Sequence, residues 1–343
     1  MKKIKTGLLT IGLMALGLLS SCVETEVVDP AKGESEETTL ILNLSRPASI
    51  ETRADVSQYK LRYVAKLFAA ATDQGIDSPL QRKEIAGDDK SENGESDQII
   101  FKVDAGKSYV ILVFADYIPK ESTADGNGYY KDYFYNTDVA RLPKNIQMNL
   151  SPGKSISDGN ETISQEFFNN DNYDCFYGKT EFFDKESAEK VINLTLKRQA
   201  AKVILRDKGS ESGDLSVSIS KATVGYQHEM VNSKATTYSF NVNATITKSL
   251  TAADRDLLYF YTLSEETGNQ LAMNLKVNNG DPITINNIPV KRNYQTIVKG
   301  TFLEVASDDS QGQGGETTPT KDGNIILNLT TDNSWESTPM TKE

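Results

Sequence analysis

The chain has almost none of the residues on which metal and nucleophilic chemistry depend. Its 343 residues include one histidine, His228, and two cysteines, Cys22 and Cys175. Zinc sites use three or four Cys, His or carboxylate ligands, so a metal centre would have to be built almost wholly from Asp and Glu. The sequence offers no recognisable set of nucleophile, base and orienting group. We therefore expect no enzyme activity, no catalytic residue, no cofactor and no metal.

Two local motifs come near to metal-binding patterns without completing them. His228 is followed by Glu229, but no second histidine completes the His-Glu-x-x-His motif of metalloproteases. Residues 125–128 begin like a calcium loop, yet Tyr129 stands where an oxygen ligand is needed. We interpret His228 as a structural residue and residues 125–128 as a turn.

Positive charge is also scarce. Lys and Arg number 37 against 48 Asp and Glu, which gives a formal net charge of −11 and a sequence pI near 4.9. Proteins bind nucleic acids through basic surfaces that neutralise phosphate groups. Nucleic acid is therefore not an expected partner.

The one long hydrophobic run lies near the start of the chain. Lys2, Lys3 and Lys5 precede a mostly apolar stretch, residues 7–19, which is shorter than the roughly 20 residues that span a bilayer. This pattern predicts a signal peptide over residues 1–21. It ends in Leu-Ser-Ser followed by Cys22, which resembles a bacterial lipobox and implies that Cys22 carries palmitate or a similar acyl chain in the outer membrane.

Residues 22–38 are acidic and lack periodicity, which predicts a solvated tether. Removal of the signal peptide takes away three lysines and no acidic residue, so the net charge changes from −11 to −14. With Cys22 acylated, Cys175 has no partner within the chain for a disulfide. Stability must then come from core packing.

From residue 39 onward, apolar and polar residues alternate with a period of two between clusters of Gly, Pro, Asn and Asp. Such alternation is typical of half-buried strands, and helical patterns are limited to residues 138–142 and 187–190. We predict an all-β fold of antiparallel β-sandwiches. The predicted strands are residues 40–44, 59–68, 98–103, 109–115, 129–135, 146–150, 191–196, 202–205, 215–224, 237–243, 257–262, 271–277, 283–285 and 294–303.

The strands fall into two sets, which predicts two tandem domains. The N-terminal β-sandwich domain covers residues 39–199, and the C-terminal β-sandwich domain covers residues 200–305. Residues 306–323 are rich in Gly, Ser, Asp and Gln, which indicates a flexible linker. Residues 324–343 hold a further alternating strand and a tail.

The first and the last predicted strands share one pattern. Residues 40–45 read Leu-Ile-Leu-Asn-Leu-Ser, and residues 325–330 read Ile-Ile-Leu-Asn-Leu-Thr. Because side chains alternate along a strand, the two segments can fill the same position in a sandwich. The alternative interpretation is that both segments are ordinary edge strands, because short alternating leucine patterns recur by chance in β proteins. The matching apolar sets are Leu40, Leu42 and Leu44 in the first strand, and Ile325, Leu327 and Leu329 in the last.

Arg53 lies in a polar segment of the kind that proteases cut. Cleavage after Arg53 would release strand 40–44 together with the lipid anchor. Arg46 is the second candidate, because the Pro47 that follows it hinders trypsin-like cleavage. The groove left behind could accept the last strand of another copy by β-augmentation, and such a head-to-tail contact builds a fibre.

Three segments resemble the fimbrillin-like lipoproteins of Bacteroidetes, which are major and minor fimbrial subunits. They are residues 109–117, 196–203 and 288–300, the last with its Pro, Arg-Asn, Thr and Gly landmarks. The resemblance implies transthyretin-like sandwich domains, surface export as a lipoprotein, and maturation by an Arg-specific protease at Arg53. It further implies polymerisation with other fimbrial subunits, in which residues 40–44 are displaced and residues 324–331 act as the donor strand.

A second hypothesis concerns aromatic residues. A cluster of them could form a sugar-stacking platform, which would make the protein a glycan-binding outer-membrane lipoprotein of a polysaccharide-uptake system. The same spacing is also typical of a strand with one buried face, which is the interpretation we favour. The cluster consists of Tyr129, Tyr130, Tyr133, Phe134, Tyr135, Tyr173, Phe176 and Tyr177.

Overall fold

The computed structural model describes most of the chain between residues 38 and 302, and a short segment near the C-terminus. The described residues are 38–45, 57–73, 76, 78–87, 97–104, 107–139, 142–154, 162–184, 191–210, 212–278, 280–300, 302 and 328–332. Cys22, Arg46, Arg53, Ile325 and Leu327 lie outside them. No helix within the described ranges is long and apolar enough to cross a membrane.

The structure confirms the predicted all-β class. Helical structure in the described part of the chain includes one-turn 3-10 helices at Gln165–Phe167 and Asp171–Tyr173. The strands are β1 Thr38–Ser45, β2 Tyr59–Ala69, β3 Gln81–Gly87, β4 Asp97–Val103, β5 Ser108–Pro119, β6 Tyr135–Asn136, β7 Asn145–Met148, β8 Thr162–Ile163, β9 Phe176–Lys179, β10 Phe183–Asp184, β11 Val191–Thr195, β12 Lys197–Arg198, β13 Ala200–Asp207, β14 Gly213–Glu229, β15 Lys234–Leu250, β16 Asp256–Leu263, β17 Asn269–Val277, β18 Ile283–Val290, β19 Gln295–Gly300 and β20 Asn328–Asp332.

These strands form four sheets. The β1 sheet has the order β11-β1-β4, and the β5 sheet has the order β12-β9-β5-β2-β3 with β10 added to β5. The β13 sheet runs β16-β13-β19-β20, and the β14 sheet runs β18-β17-β14-β15-β8 with β7 on β14 and β6 on β7. Their buried side chains join in one hydrophobic core, an arrangement consistent with β-sandwiches.

The sheets do not divide the chain cleanly at residue 199. Strands β7 and β8 precede that point, yet β7 pairs with β14 and β8 pairs with β15 in the β14 sheet. The described residues belong to a single compact unit. The division into domains 39–199 and 200–305 therefore stays a prediction.

Strand β2 is buried on both faces from Leu61 to Phe68, and one face carries charge. The Arg62 guanidinium donates to both oxygens of Asp116, at 2.9 and 2.8 Å, and to Asp132 at 2.8 Å. Burial by itself lowers the pKa of Arg62, but Asp116, Asp132 and Glu84 together raise it above its ordinary value. Arg62 is thus a charged residue held inside the fold by paired carboxylates.

The segment that covers this charged face corrects one predicted strand. Residues 129–135 alternate in sequence, but only Tyr135–Asn136 forms a strand. The backbone of Tyr130 bonds to side chains instead, because its carbonyl accepts from Arg62 at 3.2 Å and its amide donates to Glu84 at 3.0 Å. A backbone that satisfies buried charges in this way has no free groups for a strand neighbour.

The segment around residue 199, where the sequence predicts the boundary between two domains, is held by buried polar groups. Arg198 donates to both oxygens of Asp174, each at 2.9 Å, and the Lys202 ammonium donates to Asp171 at 2.8 Å. The side-chain amide of Gln199 donates to the carbonyl of Ser264 at 2.8 Å and lies 3.3 Å from Nδ1 of His228. His228 is fully buried, in agreement with a structural role.

His228 makes stability depend on pH. Burial, with a smaller contribution from Arg292, lowers its pKa from 6.5 to about 3, so the unfolded chain binds the extra proton first as the pH falls. The stabilisation that follows from the neutral, buried His228 is fully present above pH 6.5 and is lost as the pH falls toward 3. Between pH 7 and pH 4 the wild type should lose about 3 kcal/mol more than His228→Gln. Urea unfolding at both pH values measures this, and equal losses would contradict it.

Gly225 of β14 is required by a close approach to β16. A Cβ at this position would lie 1.7 Å from the carbonyl oxygen of Leu263, and the Gly225 amide donates to Thr262 Oγ1 at 2.7 Å. We expect Gly225→Ala to lower the free energy of unfolding by about 3 kcal/mol, because the two strands must separate. Gly87→Ala is the control, since no atom lies within 4 Å of its Cβ. Thermal unfolding of both variants measures the difference, and similar losses would refute the explanation.

Candidate functional site

The site is the position that β1 occupies between its two neighbours, which we call the β1 slot. Strand β1 pairs antiparallel with β4 and parallel with β11. Among the described strands, neither β4 nor β11 pairs with anything except β1. Every main-chain ladder of this sheet therefore includes β1, so β1 is a central strand. The edge-strand alternative is wrong for it.

The inward face of β1 fills the core as its pattern predicts. Leu40, Leu42 and Leu44 are each at most 1% exposed. Leu40 stands opposite Phe101 of β4, and Leu42 stands between Ile99 of β4 and Ile192 of β11. Burial of each of these leucine side chains contributes about 1.5 to 3 kcal/mol to the free energy of unfolding. The slot is thus an apolar groove one strand wide.

The β1 sheet rests on the β5 sheet at a glycine. A Cβ at Gly178 of β9 would lie 3.1 Å from Cγ of Leu194 in β11 and 2.6 Å from Cδ2 of Leu196. Cys175, which directly precedes β9, is fully buried, and burial raises the pKa of its thiol well above the usual range. One wall of the slot is therefore packed directly against the core.

The outward face of β1 carries rows of like side chains. Ile41 stands between Ile100 of β4 and Val191 of β11. One step along, the Asn43 amide donates to Oδ1 of Asn193 at 2.9 Å. Ser45 Oγ and Thr195 Oγ1 are 3.1 Å apart, within hydrogen-bond distance.

The predicted donor strand is seen in part. Asn328–Asp332 forms β20, which pairs antiparallel with β19 at the edge of the β13 sheet. Leu329 stands opposite Val298 in this ladder. In this copy the last strand is thus an edge strand outside the β1 slot.

The predicted aromatic platform forms mainly core. Phe134, Tyr135, Tyr173 and Phe176 are fully buried. Phe134 and Tyr173 meet edge to face with centroids 5.0 Å apart, a geometry that adds to their burial energy. Within the described ranges, no group of three or more His, Cys, Asp or Glu side chains could hold a metal ion.

Residues 30–312 match the model of a family of unknown function, DUF6562. The chain belongs to this family. The match ends at residue 312, so β20 of this DUF6562 protein lies outside the matched region. No curated protein matches the sequence.

Several solved structures are similar to this DUF6562 protein at low sequence identity. The tip fimbrial protein Mfa3 from Porphyromonas gingivalis, with a C-terminal truncation, is 12% identical, with a TM-score of 0.39 and coverage of 86% of this chain and 99% of that one. A fimbrial assembly protein from Parabacteroides distasonis is 13% identical, with a TM-score of 0.37 and coverage of 78% and 91%.

A third similar structure, a candidate polysaccharide-binding protein (DUF1812) from Bacteroides thetaiotaomicron, is 13% identical, with a TM-score of 0.45 and coverage of 77% of this chain and 92% of that one. The neighbours of this DUF6562 protein thus include fimbrial and adhesin-like proteins, the group that the sequence resembles.

Leu42 and Ile41 test the two faces of the slot. We expect Leu42→Ala to lower the free energy of unfolding by about 2 to 5 kcal/mol, because it leaves a cavity in a fully buried position. Ile41→Ala removes a similar side chain from the outward face, so it should cost less than about 1 kcal/mol. Chemical denaturation measures both, and equal losses would show that the inward face does not fill the core.

Proposed function

We propose that this DUF6562 protein is a structural fimbrial subunit that assembles by exchange of the strand in its β1 slot. The observation that carries this proposal is the place of β1, which is the only one of the described strands that pairs with β4 or with β11. A subunit without β1 would expose two unpaired strand edges and an apolar groove, a combination that favours addition of another strand.

Maturation empties the slot in this proposal. Residues 46–56 connect β1 to the chain that leads into β2, and they include both Arg46 and Arg53. After cleavage at Arg53, β1 is held by pairing and burial alone. It can then leave with Cys22 and its lipid, which had tethered the precursor to the outer membrane.

The incoming strand comes from another subunit. Residues 325–330 repeat the alternation of residues 40–45, so Ile325, Leu327 and Leu329 can take the places of Leu40, Leu42 and Leu44. Each subunit then offers one slot and one donor, which yields a fibre that extends from the cell surface and serves in adhesion. The partners are further copies or other fimbrial subunits.

The glycan-binding alternative has less support. It needs an exposed aromatic face, whereas Phe134, Tyr135, Tyr173 and Phe176 are all buried. The Tyr135 hydroxyl donates to the Tyr173 carbonyl, so the polar end of that ring is also engaged inside the fold.

Treatment of the full chain with an Arg-specific protease tests the proposal. We expect one early cut, a new N-terminus at Ala54, and ladders that resist SDS, because a strand bound along its whole length exchanges slowly. Arg53→Lys should abolish both the cut and the ladders. Arg46→Lys is the matched control and should leave both unchanged. Electrophoresis with N-terminal sequencing provides the readout.

Removal of residues 323–343 separates trimming from assembly. The truncated chain should be cut at Arg53 as before and should form no ladders, since it lacks the donor strand. Ladders from this truncated chain would refute the donor assignment. A full-length chain that is trimmed, stays monomeric at high concentration and keeps its tail open to proteolysis would refute strand exchange itself.

A further inference from the structure

We propose that the outward rows of the β1 sheet set the register of the incoming strand, and that residues 326, 328 and 330 of a second copy complete those rows. This inference rests on the proposed function and concerns how the occupant of the slot is recognised. The rows, from the structure, are Ile100–Ile41–Val191, Gln98–Asn43–Asn193 and Ser45–Thr195.

The inward face defines the register only weakly. Its apolar residues recur at every second position, so a slip of two residues still puts Leu327 and Leu329 at two of the three leucine positions. Only the end position changes, where Thr331 replaces an apolar residue. A groove that recognised only alternating leucines would therefore admit a neighbouring register.

The outward face changes at every position when the strand slips. In the aligned register, Ile326 falls in the row of Ile100 and Val191, and Asn328 falls beside Asn193. After a slip of two, the asparagine enters the aliphatic row and Thr330 enters the amide row. Each cross-strand pair changes the affinity by about 1.4- to 5-fold, so several mismatches together decide between registers.

The structure contains a precedent for this pairing. Strand β11 reads Val-Ile-Asn-Leu-Thr over Val191–Thr195, and it lies parallel to β1 with Asn on Asn and Thr on Ser. The amide bond from Asn43 to Asn193 is 2.9 Å long. Residues 326–330 read Ile-Leu-Asn-Leu-Thr, which reproduces the amide and hydroxyl pairings next to the same β11. Stacked amides of this type favour in-register parallel strands.

A second copy of the chain is the occupant to which these observations point. The donor segment matches both faces of the slot, yet in this copy its last part pairs with β19 while β1 fills the slot. Occupation by the tail of the same chain, or by an unrelated strand, is a distinct outcome of the test.

The test uses a full-length donor and a shortened acceptor, which together can form only one product. The donor carries Arg53→Lys, so its slot stays filled while its tail remains available. The acceptor lacks residues 323–343 and is trimmed at Arg53, so it has an empty slot and no donor strand. Mixing them yields one SDS-resistant heterodimer. Its amount at limiting protein concentration measures the affinity of the strand for the slot.

The decisive donor variant exchanges two residues, Ile326→Asn with Asn328→Ile. Composition, length and the inward apolar set are unchanged, so only the outward order differs. We expect the affinity to fall about tenfold. An acceptor that carries Val191→Asn with Asn193→Val should bind the exchanged donor about threefold more tightly than the unaltered acceptor does. The reason is that β11, one of the two strands that border the slot, then matches the exchanged order. Donor Thr331→Asp with Asp332→Thr lies beyond the Ser45 position and is the matched control.

Each result has a definite meaning. Equal heterodimer from the wild-type and exchanged donors would overturn the register inference and leave strand exchange intact. No heterodimer from any donor would refute the proposed function itself. Dimers of the acceptor alone would show that another segment fills the slot, which also overturns the inference. Monomers formed by the trimmed full-length chain, with its own tail protected from proteolysis, would overturn the choice of a second copy.

Discussion

The three-stranded β1 sheet depends on a single strand. Strands β4 and β11 have β1 between them, so β1 satisfies main-chain groups on both neighbours while Leu40, Leu42 and Leu44 close the core beneath. Unpaired backbone groups and exposed apolar surface are both costly. The slot must therefore be filled for this sheet to persist, although the covalent bond between its occupant and the rest of the chain is not needed for the pairing.

The remainder of the fold has its own supports. The bidentate pair of Arg62 with Asp116 joins β2 to β5, and the pair of Arg198 with Asp174 anchors the segment around residue 199. Breaking such a buried pair leaves an uncompensated charge, which costs several kcal/mol. These two charge pairs therefore favour one specific arrangement of the segments that they join.

Sequence periodicity predicted many strands but not their neighbours. It identified β1, β2, β4 and β5, because each has a clear apolar face or an apolar run. It missed β3, in which no residue is fully buried, and the short β9 and β10. It extended a strand across residues 129–135, because alternation does not reveal that the Tyr130 backbone bonds to Arg62 and Glu84. Long-range charge pairs leave no periodic signal in a sequence.

The sequence by itself determined the all-β class and the inward set Leu40, Leu42 and Leu44, because alternation along a strand is a local property of the backbone. It also displayed the likeness between residues 40–45 and 325–330. Only the tertiary structure decided that β1 is central and β20 is an edge strand, and that Asn43 meets Asn193. The number of neighbours of a strand, and their register, arise from contacts between residues far apart in the chain, such as the 150 positions that separate this asparagine pair.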